Sequence, residues 1–452
     1  MSQISYIKYT DVLEARRYDA EYFKPEYLEI EQEIKKFNYL ELGDKKVSKL
    51  ITDGDHGNPD YTENVDDMNY VKVEQLGSID LDLSSAHKIS KKCVEKQSKT
   101  NFVEKFDILL SMKGTLGRSC LVLDDYKAVL NRDVAKIQVK KEVLNPFYVL
   151  IYLKSKIGNS FIEKFSSGAV QKGLYLNKIE KIKIPILPQS FQIQIEEIVK
   201  SAHQKQKQSK QLYREAEELL LQELGLLDYK IKHSIWFTTT KKEIDEAKRY
   251  DSEYFQPKYA EIIRKIEEYE GGWDLVKNQF NQNTKLSKKE GEYCNYIEIS
   301  DVNTSNGEIT PHKVGLKDIP ANGKRKLFKN DLLISKVRPY RGAISFIDFE
   351  VDNLIGSGAF TVLQEKTDYK KEVLMIFLKT RYIKELLLRY NCGTSYPVIK
   401  DEDILNLKIP LIKQSVQQQI AEKIQESHRL RKESKGLLEE AKKKVEEEIE
   451  KN

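Results

Sequence analysis

Two stretches of this sequence concentrate positive charge far more than the chain as a whole. From Lys317 to Gly342 there are eight basic residues (Lys317, Lys324, Arg325, Lys326, Lys329, Lys336, Arg338, Arg341) against Asp318 and Asp331. From Ala86 to Arg118 there are eight more (Lys88, Lys91, Lys92, Lys96, Lys99, Lys105, Lys113, Arg118) against Glu95, Glu104 and Asp107. Ammonium and guanidinium groups spaced in this way neutralise the phosphates of a polyanion and hold it in register without reading its sequence. Reading a base edge takes planar or forked donors. Those stand in KVRPYRG as Arg338, Tyr340 and Arg341 and in MKGTLGR as Lys113 and Arg118, with Asn131 and Arg132 further on. An arginine against a guanine edge is the commonest specific contact, worth ~1–3 kcal/mol of discrimination. Gly54, His56, Thr115, Lys172, Lys285, Lys288, Ser395 and Tyr396 complete the expected DNA-contacting set. Any one of these cations read singly is a solvated surface charge; the two matched blocks together point to nucleic acid.

Other chemistries find no support. Asp53, Asp55 and His56 in ITDGDHGNPDY are the best candidates for a metal or acid–base site. The corresponding stretch further along, NQNTKLSKKEGEY, has neither the paired acids nor the histidine, so this loop reads as a recognition surface. There is no GxxxxGK[ST] loop for nucleotide phosphates and no GxGxxG opening a helix after a strand. No Asn-Pro-Pro-Tyr or Asp-Pro-Pro-Tyr run of the adenine methyltransferase type occurs. The six histidines lack metal-ligand spacing, and the four cysteines, Cys93, Cys120, Cys294 and Cys392, lie too far apart for a CxxC pair. No catalytic centre, metal or cofactor is expected in this chain. The formal net charge of +5 permits a nucleic-acid partner without demanding one. No apolar run approaches the ~20 residues of a membrane span, and the N-terminus has no signal-like apolar core, so a cytoplasmic protein with reduced thiols is expected.

The elements that must carry these residues come in duplicate. EARRYDAEYFKPEY (Glu14 to Tyr27) returns as EAKRYDSEYFQPKY (Glu246 to Tyr259). KFDILLSMKGTLGRSCLV is echoed by KNDLLISKVRPYRGAISFI, and KIKIPILPQSFQIQI by NLKIPLIKQSVQQQI, in the same order. The period is domain-sized, too long for a solenoid. Pro25 and Pro257 suit the first turn of a helix, followed by Tyr27, Ile30, Ile34 and Phe37 and by Tyr259, Ile262, Ile266 and Tyr269 at helical spacing. Tyr18, Asp19, Tyr22 and Phe23 are expected to anchor that helix. Short apolar runs such as DILLSM, YVKVEQL, YIEIS, DLLISKV and AISFI read as strands of a mixed domain. The fold class is therefore α/β (α+β).

Each half closes in a long helix, with Ser190 and Ser415 expected as N-caps. Phe191, Ile195, Ile198, Ala202, Lys205, Ser209, Leu212, Ala216, Leu219 and Glu223 alternate by four and three, a heptad seam with a polar middle. The second helix shows Val416, Ile420, Ile424, Ser427, Leu430, Ser434, Leu437, Ala441, Val445 and Ile449 on one face. At ~1.5 Å per residue each is a rod of roughly 50 Å that needs a partner for its stripe. The expected partner is the other copy, packed antiparallel as a coiled coil that holds the two domains apart. The boundaries read as domain one over 1–188, a central helix over 189–231, domain two over 232–412 and the closing helix over 413–452.

The duplicated RYDAEYF/RYDSEYF openings, the IKIPILP and LKIPLIK strands and the Gln-rich helices after them resemble the DNA specificity subunit of type I restriction–modification systems. The resemblance runs through both copies, and the DGDHGNP loop before YVKVEQLGSIDL is similar to that family's target-recognition domains. It implies two target-recognition domains in a pseudo-twofold duplication, each reading one half of an asymmetric split target in double-stranded DNA. It implies two methyltransferase subunits as partners, with two restriction/translocase subunits in a complete system. S-adenosylmethionine, ATP and Mg²⁺ would then belong to the partners. PQSFQIQI and KQSVQQQI depart from the family's more usual acidic-Gln version at the helix start. The rival readings are a coiled-coil protein scaffold, a nuclease using Asp53 and Asp55, and a specificity chain serving a methyltransferase with no restriction partner.

Overall fold

The computed structural model describes residues 4–168, 172–288, 291–393 and 396–451. The chain divides into two compact units, Met1–Gln206 with Lys432–Asn452, and Lys207–Arg431. In the first unit a helix opens at Pro25–Lys35, with proline in its first turn and Tyr27 and Ile34 buried. The counterpart in the second unit is Pro257–Glu267, which buries Tyr259, Ile262 and Ile266. The anchor before each helix is built differently from expectation. Phe23 is buried, but Tyr18 is 78% exposed and Tyr250 85%, so neither docks anything within its unit. Arg17 and Arg249 hold the turn instead, each paired to the aspartate two residues on (Nε to Asp19 at 2.5 Å, to Asp251 at 2.6 Å) and laid over Tyr22 and Tyr254.

Each unit contains two four-stranded sheets. In the first unit Ser48–Asp53, Val134–Val139, Ile108–Ser111 and Ser119–Leu121 form an antiparallel sheet. Tyr61–Thr62, His87–Ile89, Met68–Val71 and Ala128–Leu130 form the other, whose last pair is parallel. The second unit repeats the first sheet with Phe280–Gln282, Phe360–Glu365, Leu332–Ser335 and Ile344–Phe346. Its other sheet runs His312–Gly315, Tyr293–Ile297, Leu354–Ser357, Gly323–Lys326. DILLSM, DLLISKV and AISFI supply strands, whereas YVKVEQL and YIEIS are strand only in part. After Val71 and Ile297 the chain tightens into 3₁₀ turns at Val73–Gln75 and Ile299–Asp301. A side chain three residues on captures a backbone N–H in each (Lys72 N–H to Gln75 Oε1, 3.0 Å; Glu298 N–H to Asp301 Oδ2, 2.7 Å), which outcompetes the ladder.

The long helices span Gln189–Glu223 and Gln414–Glu450. Ser190 and Ser415 lie inside them, because the first turn is already closed by Gln192 N–H on Pro188 O and Gln417 N–H on Lys413 O. The central helix stops short of 231 because Gly225, at φ 64, takes the left-handed conformation and Leu226 N–H returns to Leu221 O at 2.7 Å. Two buried glutamines tie the helix starts to their domains. Gln192 donates to Leu187 O (2.9 Å) and accepts from Asn145 N–H (2.8 Å). Gln417 donates to Ile412 O (2.8 Å) and accepts from Lys370 N–H (2.9 Å).

The buried seam is Ile195, Val199, Ala202, Gln206, Ser209, Tyr213, Ala216 and Leu220, of which Gln206 and Tyr213 are half-buried. The other helix repeats it 225 residues on, at Ile420, Ile424, Ser427, Arg431, Ser434, Leu438, Ala441 and Val445, with Arg431 half-buried. Every seventh residue falls where the heptad puts it. The intermediate positions lie one residue later than expected: Val199, Tyr213, Leu220 and Leu438 stand in for Ile198, Leu212, Leu219 and Leu437, which are half-buried at the margin as Phe191 is. Positions three and four residues on share a helical face, so a heptad fits either way until the neighbouring domain takes one flank. In the first unit Ile195, Val199 and Ala202 join Leu438, Ala441, Val445 and Ile449 in one core with Ile34, Tyr148 and Ile184. In the second, Ala216 and Leu220 join Ile420 and Ile424 with Tyr259 and Phe377.

Polar pairs set the antiparallel register within each unit. In the second, Ser209 and Ser427 exchange hydroxyl bonds to each other's carbonyls (2.7 and 2.8 Å), and Lys423 pairs with Glu215 at 2.5 Å. In the first, Ser434 Oγ donates to Ala202 O at 2.8 Å and Lys205 pairs with Glu433 at 2.6 Å. Leu430, also expected in the seam, is buried.

Replacing Gln417 by Leu strands the Ile412 carbonyl and the Lys370 N–H in an apolar site. We expect a loss of about 2–3 kcal/mol in the second unit, read by urea denaturation. A second expectation concerns Lys379, whose ammonium lies 5.6 Å over the Tyr213 ring with no hydrogen-bond partner among the described residues. Burial first, then Arg431 and Lys384, lowers it to about 7. Below its unfolded value near 10.5 this charge opposes folding, increasingly so as pH falls to about 7. Lys379→Met should therefore raise Tm at pH 7, with the gain shrinking as pH rises towards 10.

Candidate nucleic-acid interface

In the second unit the turn between Leu332–Ser335 and Ile344–Phe346 carries KVRPYRG. Arg338 adopts the left-handed conformation (φ 48, ψ 52), then Pro339–Arg341 make one 3₁₀ turn and Gly342, at φ 77, ends it. A side chain in that conformation costs about 1–2 kcal/mol over the right-handed alternative, so tertiary contacts must hold it. Arg338 N–H donates to Pro397 O at 2.8 Å, and its guanidinium lies 4.9 Å over the Tyr396 ring. The loop bearing Tyr396 is in turn gripped at its base by Arg249 of the duplicated opening motif, which donates to Asn391 O at 2.9 Å. Arg338, Arg341 and Tyr396 line an open cleft of ≈ 530 Å³ together with Ser300, Asn303 and Thr304. Asn303 is shaped by its own turn, its Oδ1 accepting from the Ser305 and Asn306 N–H groups at 2.9 and 3.2 Å.

Five other expected cations gather on one strand pair. Lys326 N–H donates to Lys285 O (2.9 Å) and Ser287 N–H to Lys324 O (2.8 Å), which sets Lys285 and Lys288 along Lys324, Arg325 and Lys326. Lys285 and Lys326 both sit over Phe328, at 5.3 and 5.4 Å, and all but the half-buried Arg325 are exposed. Lys336 does not join them. It is half-buried and paired with Asp401 at 3.2 Å. Burial works against the Asp401 charge, but Thr361 and Lys336 outweigh it and hold the carboxyl below the usual range. Tyr340 is half-buried outside the cleft lining, and Ser395 lies outside the described residues.

The first unit assembles a different surface. Gly54 passes so close to the strand end that a Cβ would meet Leu130 O at 2.1 Å, which restricts the position to glycine. That approach lets Asp55 N–H donate to Leu130 O and Arg132 N–H to Asp55 O, bringing His56 to the Asn131–Arg132 turn. Lys113 reaches the same turn through Asp133 at 3.2 Å, and its backbone bridges Gly173, next to Lys172. Lys172 itself faces Glu21 at 3.7 Å. Thr115 and Arg118 are exposed on the loop after Ile108–Ser111. Lys88 sits on the small sheet, and Lys91 and Lys92 are exposed in the first turn of the Ser90-capped helix that follows. His56 Nε2 meets Asp53 Oδ2 at 2.8 Å, while Asp55 accepts from Gly57 N–H. Among the described residues no group of three or more His, Cys, Asp or Glu is placed to hold a metal.

The charge pattern does not mark Ser300, Asn303 and Thr304; the turn composition NTSNG marks Asn303 and Thr304. Tyr61, 47% exposed with Lys72 over its ring at 5.2 Å, is a further aromatic that charge counting passes over.

The family model for the type I restriction modification DNA specificity domain matches this sequence twice, over residues 33–218 and 274–443. The chain belongs to that family. Among curated relatives, the EcoBI specificity subunit of Escherichia coli is 27% identical over 121 residues, which cover 27% of this chain and 25% of that one. The MjaVIII specificity subunit of Methanocaldococcus jannaschii is 25% identical over 79% of this chain and 81% of its own. The chain thus spans a quarter of the first relative and most of the second. Among solved structures, the type I S subunit from M. genitalium has 14% identity and a TM-score of 0.42, covering 91% of this chain and 96% of its own.

Lys324→Gln and Lys326→Gln remove exposed ammonium groups without altering the strand pair. Each should weaken binding of the full chain to duplex DNA irrespective of sequence. The slope of log K against log salt should flatten by about one unit for each phosphate that is no longer neutralised, measured by fluorescence anisotropy.

Proposed function

We propose that this chain is the DNA-reading subunit of a type I restriction–modification system. Each unit reads one half of an asymmetric, split duplex target, and the chain itself carries out no bond-breaking step. The observation that carries this is the duplicated domain whose two recognition surfaces differ: a cleft with Arg338 over Tyr396 in one, the Gly54–His56 loop against Asn131 and Arg132 in the other. Two different readers on one frame fit a target with two different halves.

Two methyltransferase subunits, and restriction/translocase subunits in a complete system, are the proposed partners. S-adenosylmethionine, ATP and Mg²⁺ would be bound by them. The short helices Tyr9–Ala15 and Lys241–Ala247 support a duplicated partner, since neither buries a residue within its unit. Both carry an acidic residue three positions into the helix and a left-handed residue at the end, Arg16 and Lys248. A seven-residue helix with no packed face does not hold itself in water, so equivalent partners are proposed to cover both. A cytoplasmic setting follows from that role; among the described residues no helix is long and apolar enough to cross a membrane.

Co-expression with the methyltransferase encoded beside this chain, followed by direct sequencing of modified bases, should reveal a split asymmetric motif. Exchanging residues 22–188 for another recognition domain should change one half of it and leave the other intact. A simultaneous change in both halves would refute the one-unit, one-half assignment.

A further inference from the structure

We propose that Arg338, braced over Tyr396, reads a guanine in the half-site recognised by the second unit, an inference that rests on the function proposed above. The duplicated turn supplies the argument. In the first unit the corresponding position is Gly114, at φ 72, and the turn closes on Gly117 at φ 78, as it closes on Gly342 at φ 77 in the second. The turn is therefore made without strain by a glycine, and an arginine at φ 48 contributes nothing that the backbone needs. What the residue adds is a guanidinium on the wall of the ≈ 530 Å³ cleft.

That guanidinium is held as a base reader requires. Its guanidinium carbon lies 4.9 Å from the Tyr396 ring centroid, so the ring bounds the group on one side, and an arginine carries its N–H donors as a planar fork. The fork matches two acceptors side by side, and among the four bases guanine presents such a pair, N7 and O6, in the major groove. The platform is braced twice, by Arg338 N–H on Pro397 O (2.8 Å) and by Arg249 on the loop carrying Tyr396. Gly114 has no side chain to offer, so the two units read their half-sites with different chemistry.

The test uses the full chain co-expressed with its methyltransferase, comparing wild type, Arg338→Gly and Arg338→Lys by modified-base sequencing and thermal denaturation. Arg338→Gly should keep or raise Tm, because the strain goes. It should relax one guanine position in one half-site, with discrimination falling roughly 5- to 150-fold, while the other half-site stays unchanged. Arg338→Lys keeps the charge but loses the fork, and should relax the same position. Full rescue by lysine would overturn the proposal in favour of a phosphate contact. An unaltered motif in Arg338→Gly, or a wild-type motif with no guanine in the affected half, would overturn it outright. Absence of any split motif with wild type and an active methyltransferase would instead remove the specificity function on which it rests.

Discussion

A helix of more than thirty residues with one apolar stripe cannot stand in water, and much of this fold answers to that constraint. Two such helices occur here, Gln189–Glu223 and Gln414–Glu450, and their stripes are absorbed in segments. Ile195 to Ala202 enters the core of the first unit with Leu438 to Ile449, and Ala216 to Leu221 enters that of the second with Ile420 and Ile424. Each globular domain thus completes its core with helix segments distant in sequence. The seam changes character between these apolar ends, where Ser209 and Ser427 satisfy each other and Ser434 satisfies a nearby carbonyl. Buried hydroxyls that must find partners are intolerant of slippage, so they specify register where leucines would only supply adhesion.

The glutamine clasps extend that register into the domains. Gln192 and Gln417 each bond a carbonyl just before their own helix and the N–H that starts a domain helix, Pro146–Lys154 and Lys371–Lys379 respectively. A primary amide suits this position because it is donor and acceptor at once, and so meets a carbonyl and an N–H together. Rigid support at the helix starts leaves the loops at the strand ends able to differ. KVRPYRG and MKGTLGR occupy the same turn, share its left-handed positions and present opposite surfaces, one a braced guanidinium and the other a glycine.

Arg249 shows how the duplicated opening segment shapes the loop opposite Arg338. Its pairing with Asp251 and its stack on Tyr254 shape the turn, while its outer nitrogen holds Asn391 O at the foot of the Tyr396 loop. Arg17 repeats the pairing with Asp19 and the stack on Tyr22. Motif retention between the copies therefore reflects the scaffold, and the divergence between them falls on the loops at the strand ends.

Sequence by itself determined the duplication, the mixed α/β class, the two long helices and the basic blocks, because these rest on order, periodicity and composition, which are local properties. It also marked Arg338, Arg341 and the DGDHG loop by residue type. Tertiary structure alone decided which flank of each helix is buried, since Ile198 and Val199 are equivalent to a heptad until a domain packs against one of them. It alone turned Lys336 into a structural ion pair with Asp401, set Tyr18 in solvent and placed Asn303 and Thr304 in the cleft with Arg338. Those outcomes depend on contacts between residues tens of positions apart, and no spacing rule along the chain contains them.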